Sequence, residues 1–574
     1  MSDQSVTESA RQDIDAWRAA AATNSFDSDP FFRRLLRRHL GDRYPEVEPR
    51  LFLLAEETGV DFEQLVMDAS RDENLPTVQR HDADGRAVEE VVFHPAYHEV
   101  GRVFWASGAL ATLGLPGSDV VSGALVYLLD QHGEAGHACP VACTAGAIKL
   151  IQRVGTDEQR ERLLPSLLST DPQQWLRAAQ FVTEVQGGSD VSLNAVTAIP
   201  EPDRPGSYRI HGEKWFCSVA DADLFVVSAR LEDARPGTRG LGLFLVPRTI
   251  DGRPNGFVLR RLKYKLGTRS MATGEIEFNG AIGEAVGSLD HGFKNLVGIV
   301  LDTSRVHNAL AACGIMRRAF VEAQTFAAQR VAFDHPILTY PAVHETLARM
   351  KLRTMTGLAT TFRILAMTDR LESSGHNDEL AGARRIAVMV NKYWTAVAAT
   401  DVARDGIEVL GGNGTIEDFS VLPRLYRDAI VVESWEGTHN TLCAQVLRDF
   451  ATRDLHRPWL RELEIEIDAL THPEIADEAA LARELHRDVA ALTVRLGTTE
   501  PERASAHIRH IVNRMCRLTE WVALLAQAQW DLEIGEERSL LEAIELYRLV
   551  ELERADPLEN ERLAELNSVL AAAL

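Results

Sequence analysis

A run of short β-prone segments set between long helical ones limits what this chain can fold into more than any other feature. From Phe181 to about Asn279, apolar and β-branched stretches alternate with Gly, Pro and Asp. They are Ser207-Tyr208-Arg209-Ile210, Leu224-Phe225-Val226-Val227-Ser228, Gly242-Leu243-Phe244-Leu245-Val246 and Glu275-Ile276-Glu277-Phe278. Spacings of roughly ten to twenty residues with no helical pattern between them predict an antiparallel barrel or sandwich. Before it, up to about Arg177, apolar pairs recur at helical spacing. Asp29-Pro30-Phe31-Phe32-Arg33-Arg34-Leu35-Leu36 opens with a capping Asp and a first-turn Pro, and similar patterns fill 105–130 and 141–168. Residues 1–25 read as frayed or disordered. After it, helical segments around 295–333, 341–374, 382–410 and 438–450 can close a bundle, and the pattern to the end of the chain is again helical. A chain of 574 residues is too long for one core. The expectation is an α+β chain: an N-terminal helical domain (1–178), a central antiparallel β-barrel (179–290), a four-helix bundle (291–450) and a helical extension (451–574).

Charge narrows the function classes. With 61 Lys and Arg against 84 Asp and Glu the net charge is −23, which argues against generic binding to nucleic acid or to a membrane surface, local basic patches aside. Residues 451–574 hold 14 Arg, no Lys and 25 acids, a net of −11. The one dense basic run is Arg260-Arg261-Leu262-Lys263-Tyr264-Lys265, with a sparser set of arginines from Arg495 to Arg517. No apolar run reaches the length of a membrane span, and the polar, acidic N-terminus does not read as a signal peptide. The six cysteines are scattered; Cys139 and Cys143, in GHACPVACTAG, fit small residues on a buried helix better than a zinc site. A reducing cytoplasm is the expected compartment.

No G-x-G-x-x-G links a strand to a helix, and there is no P-loop or H-E-x-x-H. His94 and His98 could share a helix face, but no further metal ligand stands near them in sequence, and no metal site is expected. The β-region opens on Val182-Thr183-Glu184-Val185-Gln186-Gly187-Gly188-Ser189-Asp190, where hydroxyls and glycines allow close approach of a ligand or simply a tight turn. Gly212-Glu213-Lys214-Trp215-Phe216-Cys217-Ser218 adds aromatics and a hydroxyl that suit a planar heteroaromatic group, or a strand core. In Ser434-Trp435-Glu436-Gly437-Thr438-His439-Asn440, Glu436 reads either as a carboxylate at a helix start or as a positioned proton acceptor; these seven residues alone favour the first.

Taken together, the segments resemble one family. TEVQGGSD is similar to the TEPxAGSD signature of the acyl-CoA dehydrogenases, and GEKWFCS to their G-x-K-x-W-I-[TS] segment. Gln329-Arg330-Val331-Ala332-Phe333 resembles the family's R-x-x-F segment. Leu410-Gly411-Gly412-Asn413-Gly414, Arg427-Asp428 and Trp435-Glu436-Gly437-Thr438 resemble its closing LGGxG…RD…YEGT signature. The order, the spacing and the helix–barrel–helix layout agree over about residues 90–450. Gln186-Gly187-Gly188, Lys214-Trp215-Phe216, Phe93-His94-Pro95-Ala96-Tyr97-His98 and the long C-terminal extension place the resemblance nearest the alkylation-response (AidB-like) branch.

The resemblance implies FAD and an acyl-CoA substrate. It places Val182 and Thr183 at the flavin ring's polar edge, Ser189 at the pyrophosphate, Ser218 near flavin N5 and Phe216 where a tryptophan usually stacks on the ring. Arg330, Phe333, Gly411 and Gly412 would reach the FAD of an adjacent subunit, with Thr438 and Asn440 completing the site. Glu436 would take the substrate α-proton. The alternative base position of the family corresponds to Ser304, which cannot serve, and Ser304 and Arg305 are expected at the substrate. Glu433 is expected on a solvated face. Ala332, Asp334 and Tyr340 depart from the family pattern beside the adjacent-subunit segment. The function implied is an FAD-dependent acyl-CoA dehydrogenase, a homotetramer that delivers electrons to an electron-transfer flavoprotein. The alternatives are an alkylation-response flavoprotein associated with DNA and an oxidase or monooxygenase on the same scaffold.

Overall fold

The β-prone segments pair as a ring. The computed structural model describes residues 3–375, 377–535 and 538–572, and the chain divides into two units. One comprises Asp61–Ser118 and Glu134–His307; the other comprises Met1–Val60, Asp119–Gly133 and Asn308–Leu574.

In the first unit, β1 (Thr77–His81) and β2 (Ala87–Val92) form an antiparallel hairpin inside a stretch whose sequence reads as helical. The main sheet has seven strands: β3 (Ala178–Phe181), β4 (Thr197–Pro200), β5 (Ser207–Ser218), β6 (Leu224–Leu231), β7 (Leu241–Pro247), β10 (Phe257–Leu262) and β11 (Thr273–Ala285). A small hairpin of β8 (Thr249–Ile250) and β9 (Arg253–Pro254) links β7 to β10. β11 pairs with β5, β5 with β4, β4 with β6, β6 with β7, and β7 again with β11, so the sheet closes on itself. β10 and β3 extend the ring at its flanks. The sheet is not purely antiparallel, as the sequence reading had it: β3 and β4 both run parallel to β6. The connection from β3 to β6 contains β4 and β5, which is long enough for a parallel crossover. β6 and β7 are buried on both faces over Leu224–Ala229 and Leu241–Val246, which is why both read as near-continuous apolar runs.

The longer helices Pro95–Ala106, Ala138–Val154 and Asp157–Leu167 also belong to this unit. Ala138–Val154 is buried along nearly its whole length, and the Cys139 and Cys143 sulfurs lie 3.9 Å apart within it, both buried. The helix predicted over 105–130 is instead three, Pro95–Ala106, the short Ala109–Thr112 and Asp119–Asp130, because Gly108, Gly114, Pro116 and Gly117 interrupt it.

The second unit is helical. Its long helices Leu301–Gln329 (from Asn308 on), Pro341–Ser374, Asp378–Leu410 and His439–Arg453 lie close to the predicted segments, and a further helix, Leu422–Ser434, falls in none of them. The chain start is ordered where frayed residues were expected: helix Asp3–Ala21 inserts Trp17, 2% exposed, whose indole N–H donates to the Glu322 carbonyl at 3.1 Å and whose ring stacks on Phe419. Trp17, buried with its N–H satisfied, anchors this helix.

The acidic extension adds helices His456–Asp468, Ala476–Gly497, Pro501–Glu533, Ser539–Tyr547 and Glu561–Ala572. Its acids meet arginines of the preceding helices: Glu466 and Arg363 at 2.7 Å, Glu462 and Arg370 at 2.7 Å, Asp531 and Arg34 at 3.3 Å. These three acids therefore take part in packing the extension onto the preceding helices. Trp521 and Tyr547 are buried and stacked, and the Tyr547 hydroxyl donates to Glu520 at 2.7 Å. Burial, set against that hydrogen bond, raises the Glu520 pKa to about 6 from an ordinary 4.5. The folded state then holds this proton more tightly than the unfolded chain, so stability falls as pH rises from 4.5 to 6. Glu520→Gln is expected to flatten that slope and to raise stability above pH 7 by on the order of 2 kcal/mol relative to wild type, with little change at pH 4.5. Denaturant melts at the two pH values check it.

Candidate functional site

In the barrel unit the loop 182–190 leaves β3 and turns sharply: Glu184 and Gly187 exchange backbone hydrogen bonds of 3.3 and 3.0 Å. A buried ion pair fixes it. Lys214, fully buried on β5, donates to Glu184 Oε1 at 2.7 Å, to the Val182 carbonyl at 3.1 Å and to the Ser228 hydroxyl at 3.2 Å. Glu184 also accepts the backbone N–H groups of Ala195 (2.6 Å) and Val196 (3.2 Å) and the Gln186 amide (2.7 Å). Burial lowers the Lys214 pKa, and Glu184 opposes the shift. A pair desolvated this far adds little net stability but specifies one arrangement, since either partner alone would be an uncompensated buried charge.

This clamp sets the loop against β5. The Trp215 N–H donates to the Thr183 carbonyl at 2.9 Å, which brings Val182 and Thr183, both half-buried, beside Trp215 and Phe216. Gly188 closes over Thr183: a Cβ there would stand 2.7 Å from the Thr183 hydroxyl, so only glycine fits. Ser189 is exposed on the same loop. The Phe216 ring is 51% exposed, and the Lys263 ammonium lies 3.4 Å from the Trp215 ring centroid and 4.8 Å from that of Phe216. Ser218 ends β5, half-buried, its hydroxyl 3.4 Å from that of Thr273. An exposed ring beside the hydroxyls of Thr183 and Ser218 and a glycine-narrowed loop fits a planar, polar-edged group such as a flavin ring. Ser304 and Arg305 are both buried, and the Ser304 hydroxyl accepts from the Gln180 amide on β3 at 3.0 Å.

In the helical unit, helix Leu422–Ser434 stops at Trp435, and the chain reverses through Glu436 and Gly437 before Thr438 opens helix His439–Arg453. Glu436 has φ +55° and Gly437 φ +107°. The first is left-handed backbone that a glutamate adopts only at a cost, the second one that suits glycine. A buried lysine holds this turn. Lys392, on helix Asp378–Leu410, donates to the carbonyls of Glu433 (2.9 Å) and Gly437 (3.0 Å), one on each side of Glu436. Asn308 donates to the neighbouring Val432 carbonyl at 3.0 Å. Glu436 itself is half-buried.

Glu433 is not on a solvated face. It is half-buried, takes a hydrogen bond from Thr400 and lies 3.3 Å from His439 Nε2. Burial first, then Lys392 and Arg509, lowers the His439 pKa to about 4. Thr438 and Asn440 are exposed on the same turn, and Arg509 of the extension donates to Asn440 at 2.7 Å. Gly411 (φ +63°) and Gly412 form the exposed stop after helix Asp378–Leu410. Arg330 and Phe333 project from a small hairpin of β12 (Val331–Ala332) and β13 (His335–Pro336). Its two turn residues, Phe333 and Asp334, have φ +52° and +68°, the backbone of a two-residue hairpin turn. Tyr340, a departure from the family pattern, donates to the Ala332 carbonyl at 2.7 Å and so braces the hairpin; Arg330 is exposed and Phe333 is 89% exposed.

Other sequence candidates have structural roles. His94 caps its helix, accepting from the Ala96 N–H at 3.3 Å. The basic run on β10 is neutralised across the sheet: Arg260 by Glu213 (2.6 Å) and Glu277 (2.8 Å), Arg261 and Lys263 by Glu275 (2.7 and 2.8 Å). Among the described residues no helix is long and apolar enough to cross a membrane.

Comparison with known proteins identifies the family and the fold. Residues 179–281 match the middle domain of acyl-CoA dehydrogenases, residues 290–450 their C-terminal domain, and residues 17–172 the N-terminal domain of the adaptive response protein AidB. The chain belongs to the acyl-CoA dehydrogenase family. Within it, the chain is similar to acyl-CoA dehydrogenase family member 11 of Caenorhabditis elegans, 32% identical over 447 residues, covering 75% of this chain and 71% of that protein. It is also similar to the putative acyl-CoA dehydrogenase AidB of Escherichia coli, 35% identical over 389 residues, covering 65% and 69%. The crystal structure of Caenorhabditis elegans ACDH-11 in complex with C11-CoA superposes with a TM-score of 0.85 at 28% identity, covering 92% of this chain and 90% of that one.

Sequence reasoning missed Lys214, Glu184 and Lys392. Lys392 carried a signal: a lysine at the end of an otherwise apolar run, Ile386-Ala387-Val388-Met389-Val390-Asn391-Lys392, must find a partner if the run is buried, whereas Lys214 and Glu184 stand in no such run.

Proposed function

We propose that the protein is an FAD-dependent acyl-CoA dehydrogenase that forms an α,β-unsaturated acyl-CoA, with Glu436 as the base. The observation that carries the reading is the Glu436 turn: a carboxylate held in strained backbone, bracketed by two carbonyls that a single buried ammonium grips. FAD, when bound, supplies the acceptor for the hydride that leaves the β-carbon. The proton from the α-carbon goes to the Glu436 carboxylate, and the electron pair of that C–H bond becomes the new double bond. A thioester α-proton is weakly acidic, so its acceptor must be positioned and partly desolvated. A half-buried glutamate on a fixed turn meets that need.

Val182 and Thr183 would meet the polar edge of the ring and Phe216 its face, with Ser218 near N5 and Ser189 on the pyrophosphate. Ser304 and Arg305 are assigned to the substrate side. Arg330, Phe333, Gly411 and Gly412 would serve the FAD of a neighbouring copy in a homotetramer, with Thr438 and Asn440 beside it. The exposure of Arg330 and Phe333 on a braced hairpin supports that assignment. An electron-transfer flavoprotein is the proposed electron acceptor. The pairing of Arg260, Arg261 and Lys263 with Glu213, Glu275 and Glu277 weighs against the basic run on β10 as a DNA surface; the arginines from Arg495 to Arg514 are exposed.

The purified protein is expected to be yellow, tetrameric and to carry non-covalent FAD. Arg330→Ala is expected to weaken FAD retention by roughly 1.5–3 kcal/mol, about ten- to a hundredfold in dissociation constant, through loss of a charge-assisted phosphate contact. Colourless protein that takes up no added FAD, or unchanged retention in the variant, contradicts the assignment.

A further inference from the structure

Trp215 and Phe216 are consecutive on β5, and on a regular strand their rings would lie on opposite faces of the sheet. The pairing breaks that alternation. Cys217 pairs with Gly274 and Lys214 with Ile276, so both aromatics oppose the single residue Glu275 of β11. This is a β-bulge, which bends the strand and re-aims a side chain. Both rings thereby meet one cation: the Lys263 ammonium, 3.4 Å from the Trp215 centroid and 4.8 Å from that of Phe216.

That cation is held from several sides. Lys263 directly follows β10, and its backbone N–H donates to the Thr273 carbonyl at 2.8 Å, which docks it on β11. Its side chain then crosses β11 to the rings of β5. Glu275 binds the ammonium at 2.8 Å and shares its carboxylate with Arg261 at 2.7 Å, so two cations meet one anion and the cluster stays net positive. The Lys263 side chain is 11% exposed and Phe216 is 51% exposed, so the cation lies on the covered side of the ring and the other side is open.

An ammonium against an aromatic face is attracted by the ring's π-density, and more strongly when it is desolvated. The attraction draws that density towards the cation and leaves the open face less electron-rich. The field of the net positive cluster also reaches past the ring, since a mostly buried charge is poorly screened. Both effects act alike on a heteroaromatic group lying on the open face: each favours its electron-richer, reduced form.

We propose that Lys263, acting through the Phe216 ring, makes a flavin stacked on that ring easier to reduce, and that Glu275 opposes it. The inference rests on the assignment of Phe216 as the stacking ring. Lys263 is a positioning residue in this account, set behind the ring and not in contact with substrate.

The reduction potential of the bound FAD, measured on the purified holoprotein by anaerobic equilibrium reduction against a reference dye, tests it. Lys263→Met keeps the stem and is expected to lower the ratio of reduced to oxidised flavin at a given potential about tenfold, a shift of ~30 mV to the negative for a two-electron couple. Lys263→Arg keeps the charge and can stack on the rings, and is expected to stay close to wild type. Glu275→Gln removes the opposing carboxylate and is expected to shift the potential the other way. Loss of packing alone gives no reason for opposite signs. An unmoved potential in Lys263→Met, or shifts of the same sign in Lys263→Met and Glu275→Gln, overturns the proposal. If Lys263→Met fails to fold, Glu275→Gln decides alone: a positive shift supports the proposal, and no shift or a negative one overturns it. Phe216→Leu separates the inference from the assignment beneath it. Unchanged FAD retention and visible spectrum in that variant would take Phe216 off the flavin and the proposal with it; a changed spectrum there with no shift in Lys263→Met defeats the proposal alone.

Discussion

Glu436→Gln is expected to keep FAD and still bind acyl-CoA, while the rate at which substrate reduces the flavin falls by roughly 10²–10⁴-fold. Glutamine preserves the shape of the side chain and removes only the proton acceptor. The φ of +55° at Glu436 is shared in sign by nine other non-glycine residues among those described and is kept by the variant, so the expected loss comes from the missing proton acceptor alone. The control must be an exposed glutamate. Glu433, half-buried and bonded to Thr400, does not qualify; Glu408, exposed on helix Asp378–Leu410, does. Glu408→Gln is expected to reduce flavin at the wild-type rate. A Glu436→Gln protein that matches wild type would show that another group takes the proton.

Lys392→Met carries the second large effect. The substitution keeps most of the apolar stem and deletes the ammonium that spans the carbonyls of Glu433 and Gly437. Each lost bond is to a charged donor and leaves its carbonyl short of a partner, so the turn is expected to relax. A displacement of about 1 Å at a catalytic group lowers turnover by about 10²-fold. Stopped-flow reduction should therefore show a fall of that order at saturating substrate, with KM changed little, since the thioester-binding residues are untouched. An unchanged rate, or a loss confined to KM, would mean that Lys392 supports the fold and does not position the base.

How much of this was legible in the sequence depended on the kind of signal. The helices over 341–374 and 382–410 were readable because their apolar spacing runs for many turns, and the structure ends them within a few residues of expectation. The barrel was readable from its turn residues, but the parallel pairing of β3 and β4 with β6 was not, since pairing partners are set by distant contacts. The hairpin β1–β2 was missed because its sequence, Thr77–His81 and Ala87–Val92, offers only a short and mostly exposed alternation. Trp17 was missed because burial of one side chain, far along the chain from its partners Glu322 and Phe419, leaves no local pattern.

At the proposed site, Glu436 was singled out through its neighbours in sequence. The residues that hold the turn and the loop were not, because Lys392 and Lys214 act on backbone atoms brought to them only by folding. Tyr340 illustrates the converse. Read as a departure from the family pattern, it proves to brace the hairpin that displays Arg330 and Phe333.

Anaerobic titration of the yellow protein with a panel of acyl-CoAs, followed at the flavin's visible absorbance, tests the central claim most directly. The account predicts that at least one saturated acyl-CoA bleaches the bound flavin, that the matching enoyl-CoA is recovered in equal amount, and that Glu436→Gln binds the same ligand with the colour retained. Persistent colour in the wild type with every acyl-CoA tried, or bleaching at the wild-type rate in Glu436→Gln, would contradict it.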